Sequence, residues 1–136
     1  MHSISRRTFV KGLAAGGAAA AFGDIASAQP APRRQQETLR GTSFDLSIGE
    51  TVMNFTGSPK TALAINGSIP GPLLRWRQGD LVTLRVRNQL DEDTSIHWHG
   101  IILPANMDGV PGLSFHGIRP GDTYTYRFQV KQSGTY

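Results

Sequence analysis

The sequence predicts an all-β fold, a small antiparallel Greek-key β-sandwich, on three observations. Apolar residues recur with period two in Phe44-x-Leu46-x-Ile48, Val82-x-Leu84-x-Val86 and Tyr124-x-Tyr126-x-Phe128-x-Val130, the pattern of strands with one buried face. No segment sustains a 3.6-residue period, so no amphipathic helix competes with that reading. Glycine at 16 and proline at 8 of 136 residues supply the turns that short strands need.

The elements follow in chain order. Residues 1–28 read as a removable export signal: Ser5-Arg6-Arg7-Thr8-Phe9-Val10-Lys11, a mild Gly/Ala-rich stretch from Gly12 to Phe22, and a small-x-small cleavage site at Ala26-Ser27-Ala28. Paired arginines before Phe resemble the twin-arginine export signal, which implies the twin-arginine export machinery as a partner and the periplasm as the destination. A helix of the mature domain is the other reading of this stretch, but Gly12, Gly16, Gly17 and Gly23 would each cost it roughly 1 kcal/mol. Removing 28 of 136 residues leaves 108, close to the roughly 100 of a small sandwich. Residues 29–42 are Pro-, Gln- and Arg-rich without periodicity and read as a flexible leader.

Phe44 to Ile48 then form a strand, Gly49-Glu50 a turn, and Thr51 to Phe55 the returning strand. Leu63-Ala64-Ile65 is a short strand ending at the turn dipeptide Asn66-Gly67. Ile69-Pro70-Gly71-Pro72 cannot lie in a central strand, because proline lacks the ladder donor. Gly79-Asp80 opens the strand Leu81 to Asn88, Thr94 to Gly100 is another strand, and Pro120-Gly121-Asp122 introduces the last alternating run.

Composition narrows the function. Apolar residues at 38% and charged residues at 18% allow a core, and the absence of a long uncharged apolar run argues against membrane insertion. With Arg6, Arg7, Lys11 and Asp24 removed with the signal, the formal charge of +4 falls to +2. The remaining cations alternate along strands, as at Arg75, Arg77, Arg85 and Arg87, which describes a solvated face rather than a nucleic-acid track. The absence of cysteine excludes disulfides, thiolate metal sites and cysteine nucleophiles within the chain.

Of four histidines, His2 goes with the signal and His116 reads as a loop residue. His97-Trp98-His99-Gly100 carries the chemistry. On an extended chain His97 and His99 project to one side and Trp98 to the other. Two converging imidazoles suit a borderline metal such as copper or zinc, while the indole anchors the segment in the core. From spacing alone, two exposed histidines without a metal remain the alternative. Met53 and Met107 are soft donors in principle and packing residues by default. Asp108 precedes Gly109 in a turn-forming pair.

Thr94-Ser95-Ile96-His97-Trp98-His99-Gly100, preceded by Asn66-Gly67-x-x-Pro70-Gly71-Pro72 and Gly79-Asp80, resembles the first cupredoxin domain of the multicopper oxidases. The run Leu103-Pro104-Ala105-Asn106-Met107-Asp108-Gly109-Val110-Pro111-Gly112 and the ending Gln132-Ser133-Gly134-Thr135-Tyr136 resemble the copper-resistance protein A branch. The resemblance implies a cupredoxin-like Greek-key β-sandwich over residues 43–136, with copper as the cofactor. It implies His97 as a type 2 copper ligand, His99 as a type 3 ligand, and Asp108 as the acidic residue that assists proton delivery. It further implies reduction of dioxygen to water with electrons from a donor such as cuprous ion or a phenol.

The departures from that pattern matter as much. The family continues beyond Gly-Thr-Tyr into a Trp-Tyr-His-x-His segment and, later, a cysteine-bearing type 1 site. A chain without cysteine holds no blue copper, and two histidines fall short of the three or four protein ligands of a tight site. The expectation is therefore the N-terminal part of a periplasmic oxidase, truncated before the last strands of its first domain, inactive alone and aggregation-prone along an open sheet edge. The alternatives are a non-enzymatic copper-sequestering module and a zinc-binding or purely structural sandwich.

Overall fold

The computed structural model describes residues 36–112 and 114–136; the export signal and the first half of the predicted leader lie outside them. The described residues form six strands and one short 3-10 turn: β1 Thr38–Arg40, β2 Ser43–Met53, β3 Lys60–Ile65, β4 Leu73–Arg75, β5 Leu81–Asn88, the turn Ala105–Met107, and β6 Thr123–Gln129. No described helix is long and apolar enough to cross a membrane.

Four strands make a sheet in the order β3-β2-β5-β6, and β1 and β4 make a second, two-stranded one. The period-two residues line the inner face of the larger sheet: Phe44, Leu46, Ile48, Val82, Leu84, Val86, Tyr126 and Phe128 are buried. Leu39 of β1 and Leu74 of β4 pack onto that core from the smaller sheet, together with Trp76. The outer face is polar, and Arg85 of β5 forks both guanidinium donors onto the Asp45 carboxylate of the neighbouring β2 at 2.6 Å. That hydrogen bonding holds Asp45 below the usual carboxylate range.

Several expectations need correction. Gly49-Glu50 is not a turn and Thr51 to Phe55 is not a returning strand: β2 runs on through Gly49-Glu50 and ends at Met53. Its first half pairs parallel to β5, from Ser43 opposite Thr83 to Ile48 opposite Asn88. Its second half pairs antiparallel to β3, from Ile48 opposite Ile65 to Met53 opposite Lys60. The polar Gly-Glu step marks a change of partner, not of direction. The β2–β5 and β1–β4 pairings are parallel, so the sandwich is mixed rather than wholly antiparallel. Part of the segment read as a leader is also ordered: β1 lies within it, aligned with β4 and held by the Leu73 amide donating to the Glu37 carbonyl at 2.7 Å. Thr94 to Gly100 is not a strand; its one ladder contact is the bridge between Thr94 and Ile118.

Other expectations hold. Asn66 and Gly67 both have positive φ, 51° and 67°, the mirror-image turn that matches strand twist. The Ile69-Pro70-Gly71-Pro72 stretch stays outside the strands.

One buried polar side chain organises the loop leading to the histidines. Asn88, at 0% exposure, donates to the Glu92 and Ile118 carbonyls at 2.7 and 2.8 Å and accepts the Leu90 amide at 2.8 Å. Truncation would leave the buried Leu90 amide without its acceptor and take one of two donors from the Ile118 carbonyl, which also receives the Thr94 amide. Asn88→Ala is expected to cost roughly 2–3 kcal/mol in urea unfolding, whereas Arg87→Ala on the outer face should stay within about 0.5 kcal/mol.

Candidate metal centre

The last strand supplies the platform. Tyr126 is fully buried in β6, and its phenol oxygen accepts the Ile96 amide at 3.3 Å, fixing the chain one residue before His97. Burial pushes the Tyr126 phenol above its ordinary pKa, with the Ile96 hydrogen bond acting in the opposite direction. Two residues further on, Trp98 turns into the core. Its ring meets Tyr126, Phe128 and Trp76 at centroid distances of 5.5, 6.0 and 6.1 Å. Because Trp98 points inward, its neighbours point outward. His97 and His99 stand exposed with ring centroids 5.5 Å apart and planes at 77°. The side-to-side alternation predicted from a strand is present, produced by indole burial without a ladder.

Asp108 arrives from the opposite direction on the 3-10 turn. β6 holds that turn as well: the Tyr124 hydroxyl donates to the Asn106 carbonyl at 2.8 Å, and the Arg127 amide donates to Met107 Sδ at 3.1 Å. The Asp108 carbonyl oxygen lies 2.8 Å from His97 Nδ1. A carbonyl only accepts, so this contact places a proton on Nδ1, and in the neutral ring Nε2 is then the bare nitrogen. The Asp108 carboxylate is 3.7 Å from the same Nδ1, beyond hydrogen-bond reach, and is partly open to solvent.

Gly109 makes this approach possible. Its φ is +73°, and a Cβ there would overlap the Ile96 carbonyl oxygen and come within 2.6 Å of its carbon.

The donor chemistry fits copper. Two imidazoles share one side of the chain, and the ring whose orientation is fixed offers an unprotonated nitrogen, as a metal-bound histidine with a backbone-bonded second nitrogen does. Among the described residues no cluster of three or more His, Cys, Asp or Glu side chains that could hold a metal forms, so the pair is a partial donor set. The histidines border an open groove of about 650 Å³ whose walls include Leu73, Trp76, Ile96, Ile101 and Tyr136.

The other residues weighed for metal binding lie elsewhere in the ladder and loops. Met53 closes β2 opposite Lys60, Met107 is engaged by the Arg127 amide, and His116 is exposed on the segment before β6. Sequence reasoning missed Tyr124, Tyr126 and Gly109 as parts of the centre. The two tyrosines read as core alternation and the glycine as a turn former, and neither pattern reports a partner more than ten residues away. Gly109→Ala is expected to cost roughly 3 kcal/mol or more, combining a clash with positive φ. It should also free His97 from Asp108; thermal unfolding together with imidazole nitrogen NMR would check both effects.

Comparison with known proteins shows the family and the fold. Residues 47–136 match the multicopper oxidase family model, and residues 3–23 match the twin-arginine translocation signal, which directs export to the periplasm. The chain is 66% identical over 135 residues to a copper resistance protein A homolog of Pseudomonas syringae pv. tomato, covering 97% of this chain and 23% of the relative. It is 60% identical over 136 residues to copper resistance protein A of Escherichia coli, covering 97% and 22%. The crystal structure of a multicopper oxidase from Pseudomonas thermotolerans superposes with a TM-score of 0.65 at 38% identity, over 72% of this chain and 24% of that one. The chain thus spans less than a quarter of the length of these proteins. A sandwich of period-two strands carrying His97-Trp98-His99 beside Asp108-Gly109 is the cupredoxin fold of that group, and the chain belongs to the multicopper oxidase family.

Proposed function

We propose that this chain is the N-terminal part of a periplasmic copper-dependent oxidase of the laccase-like, copper-resistance kind. In this reading residues 1–28 are the export signal, 29–42 the leader in which β1 is embedded, and 43–136 the incomplete first cupredoxin domain. The carrying observation is the convergence of His97 and His99, 5.5 Å apart, with the first ring held through Nδ1. His97 serves a type 2 copper through Nε2, and His99 serves one of a type 3 pair. Bound copper supplies the one-electron redox chemistry by which dioxygen is reduced to water.

The chain's own groups do the remaining work. The Asp108 backbone carbonyl orients His97, fixing which nitrogen faces the metal. The Asp108 carboxylate, free of that bond, is positioned to hold a proton at Oδ1 and release it through water, since dioxygen reduction consumes protons. The two roles of Asp108 therefore reside in different atoms. The further ligands, the type 1 site and the electron donor, cuprous ion or a phenol, belong to the whole protein.

Variants made in the protein expressed from its complete reading frame separate these roles. His97→Ala and His99→Ala should each weaken copper retention against a chelator and lower dioxygen uptake by about 100-fold or more. Asp108→Asn keeps the carbonyl, so it should retain copper while turning over roughly 10²–10⁴ times more slowly. Metal analysis and an oxygen electrode measure both effects. Unchanged copper content in both histidine variants would contradict the assignment, and copper binding without dioxygen uptake in the unaltered protein would favour the sequestering alternative.

A further inference from the structure

Gln132 follows β6 by three residues and lies far in sequence from the histidines, yet both ends of its carboxamide are spent on the chain that carries His99. Nε2 donates to the Gly100 carbonyl at 2.8 Å, and Oε1 accepts the Ile102 amide at 2.9 Å. These groups flank a tight turn from Trp98 to Ile101, closed by the Ile101 amide on the Trp98 carbonyl at 3.1 Å, with Gly100 at φ +80° in its third position. His99 occupies the second position. Among the described residues no hydrogen bond reaches the His99 ring; the turn sets the direction in which its side chain leaves the backbone, and the His97 ring packs edge-to-face beside it.

The base of this clamp is itself tied down. Val130 is buried, its amide and carbonyl bond Asp80 and Gly79 at 2.9 and 2.8 Å, and Gln78 Nε2 reaches the Lys131 carbonyl at 3.2 Å. Glutamine suits the task because one planar head must face a carbonyl and an amide at once. Glutamate would set an oxygen against the Gly100 carbonyl, and leucine would release both backbone groups to solvent.

We propose that Gln132 is the positioning residue for the metal ligand His99, acting through the Trp98–Ile101 turn and independently of the Asp108 carbonyl that holds His97. This deepens the oxidase reading and rests on His99 being a copper ligand. Each histidine is then aimed by its own clamp, one gripping the ring and the other gripping the backbone.

The test uses the protein expressed from its complete reading frame, with Gln132→Leu and Gln132→Glu made alone and on His97→Ala and His99→Ala backgrounds. Copper retention is measured by competition with a chelator, and hydrogen exchange at the Ile102 amide is read in the metal-free protein. Exchange should rise about 10-fold or more in Gln132→Leu and less in Gln132→Glu, which keeps an acceptor for that amide. Copper affinity should fall roughly 10- to 100-fold in Gln132→Leu. The loss should persist on the His97→Ala background and vanish on the His99→Ala background, the non-additivity expected of residues acting through one another. Should Gln132→Leu disturb folding, the Glu variant carries the same comparison at smaller amplitude. Faster Ile102 exchange with unchanged copper affinity would overturn the proposal while leaving the oxidase reading intact. Unchanged copper affinity in His99→Ala alone would overturn the underlying ligand assignment, and the proposal with it.

Discussion

The candidate metal centre depends on two stretches of backbone being able to touch. Gly109 lies so close to the Ile96 carbonyl that no side chain fits between them, and only that proximity brings the Asp108 carbonyl to His97 Nδ1. The aspartate is usually the chemically interesting half of an Asp-Gly pair, yet here the glycine decides whether the aspartate reaches the histidine at all. Its positive φ turns the chain away immediately after the contact, so the carbonyl is presented and the carboxylate stays free. A ring fixed through one nitrogen by a rigid acceptor offers the other in a defined direction, and orientation of this kind is what distinguishes a ligand from an exposed histidine.

The second constraint is the burial of Trp98. Its ring joins Trp76, Phe128 and Tyr126 in edge-to-face and tilted contacts, and such pairs add about 0.5–1.5 kcal/mol each beyond the area they bury. The indole Nε1 is buried with no hydrogen-bond partner among the described residues, at a cost of about 1–3 kcal/mol. The aromatic packing offsets that cost, so the indole stays in the core and both neighbouring imidazoles stay out of it. β6 links the two constraints. Its inward tyrosine 126 grips Ile96, its tyrosine 124 grips the loop before Asp108, and the segment after it grips Gly100 and Ile102. A sheet edge built for packing thereby becomes a jig for the centre.

What could be read from the sequence follows the range of the interactions involved. Strands β5 and β6 and the first half of β2 were legible because their inner faces alternate strictly, and burial acts residue by residue. Asn66-Gly67 was legible because its conformation is local. The course of β2 past Gly49 was not, since the strand changes partner there from β5 to β3, and pairing choice lies outside the strand itself. β1 and β4 span three residues each and exist only because they meet. Thr94 to Gly100 misled in an instructive way: its alternation was real, but burial of one indole produced it and no ladder did. The site divides similarly. His97, His99 and Asp108 were singled out by residue type and motif, and the structure brings the three together. The clamps were not, because Gly109, Tyr126 and Gln132 act on backbone groups 13 to 32 residues away, which every residue shares.

Long-range proton–nitrogen correlation NMR of the imidazole rings in the metal-free protein, recorded above the titration range of histidine, tests this account most directly. The His97 ring is expected to carry its proton on Nδ1, with Nε2 showing the chemical shift of an unprotonated nitrogen, and Gly109→Ala should abolish that preference. A native His97 protonated on Nε2, with Nδ1 bare, would mean that the Asp108 carbonyl does not hold the ring, and the account of the centre would fail at its first contact.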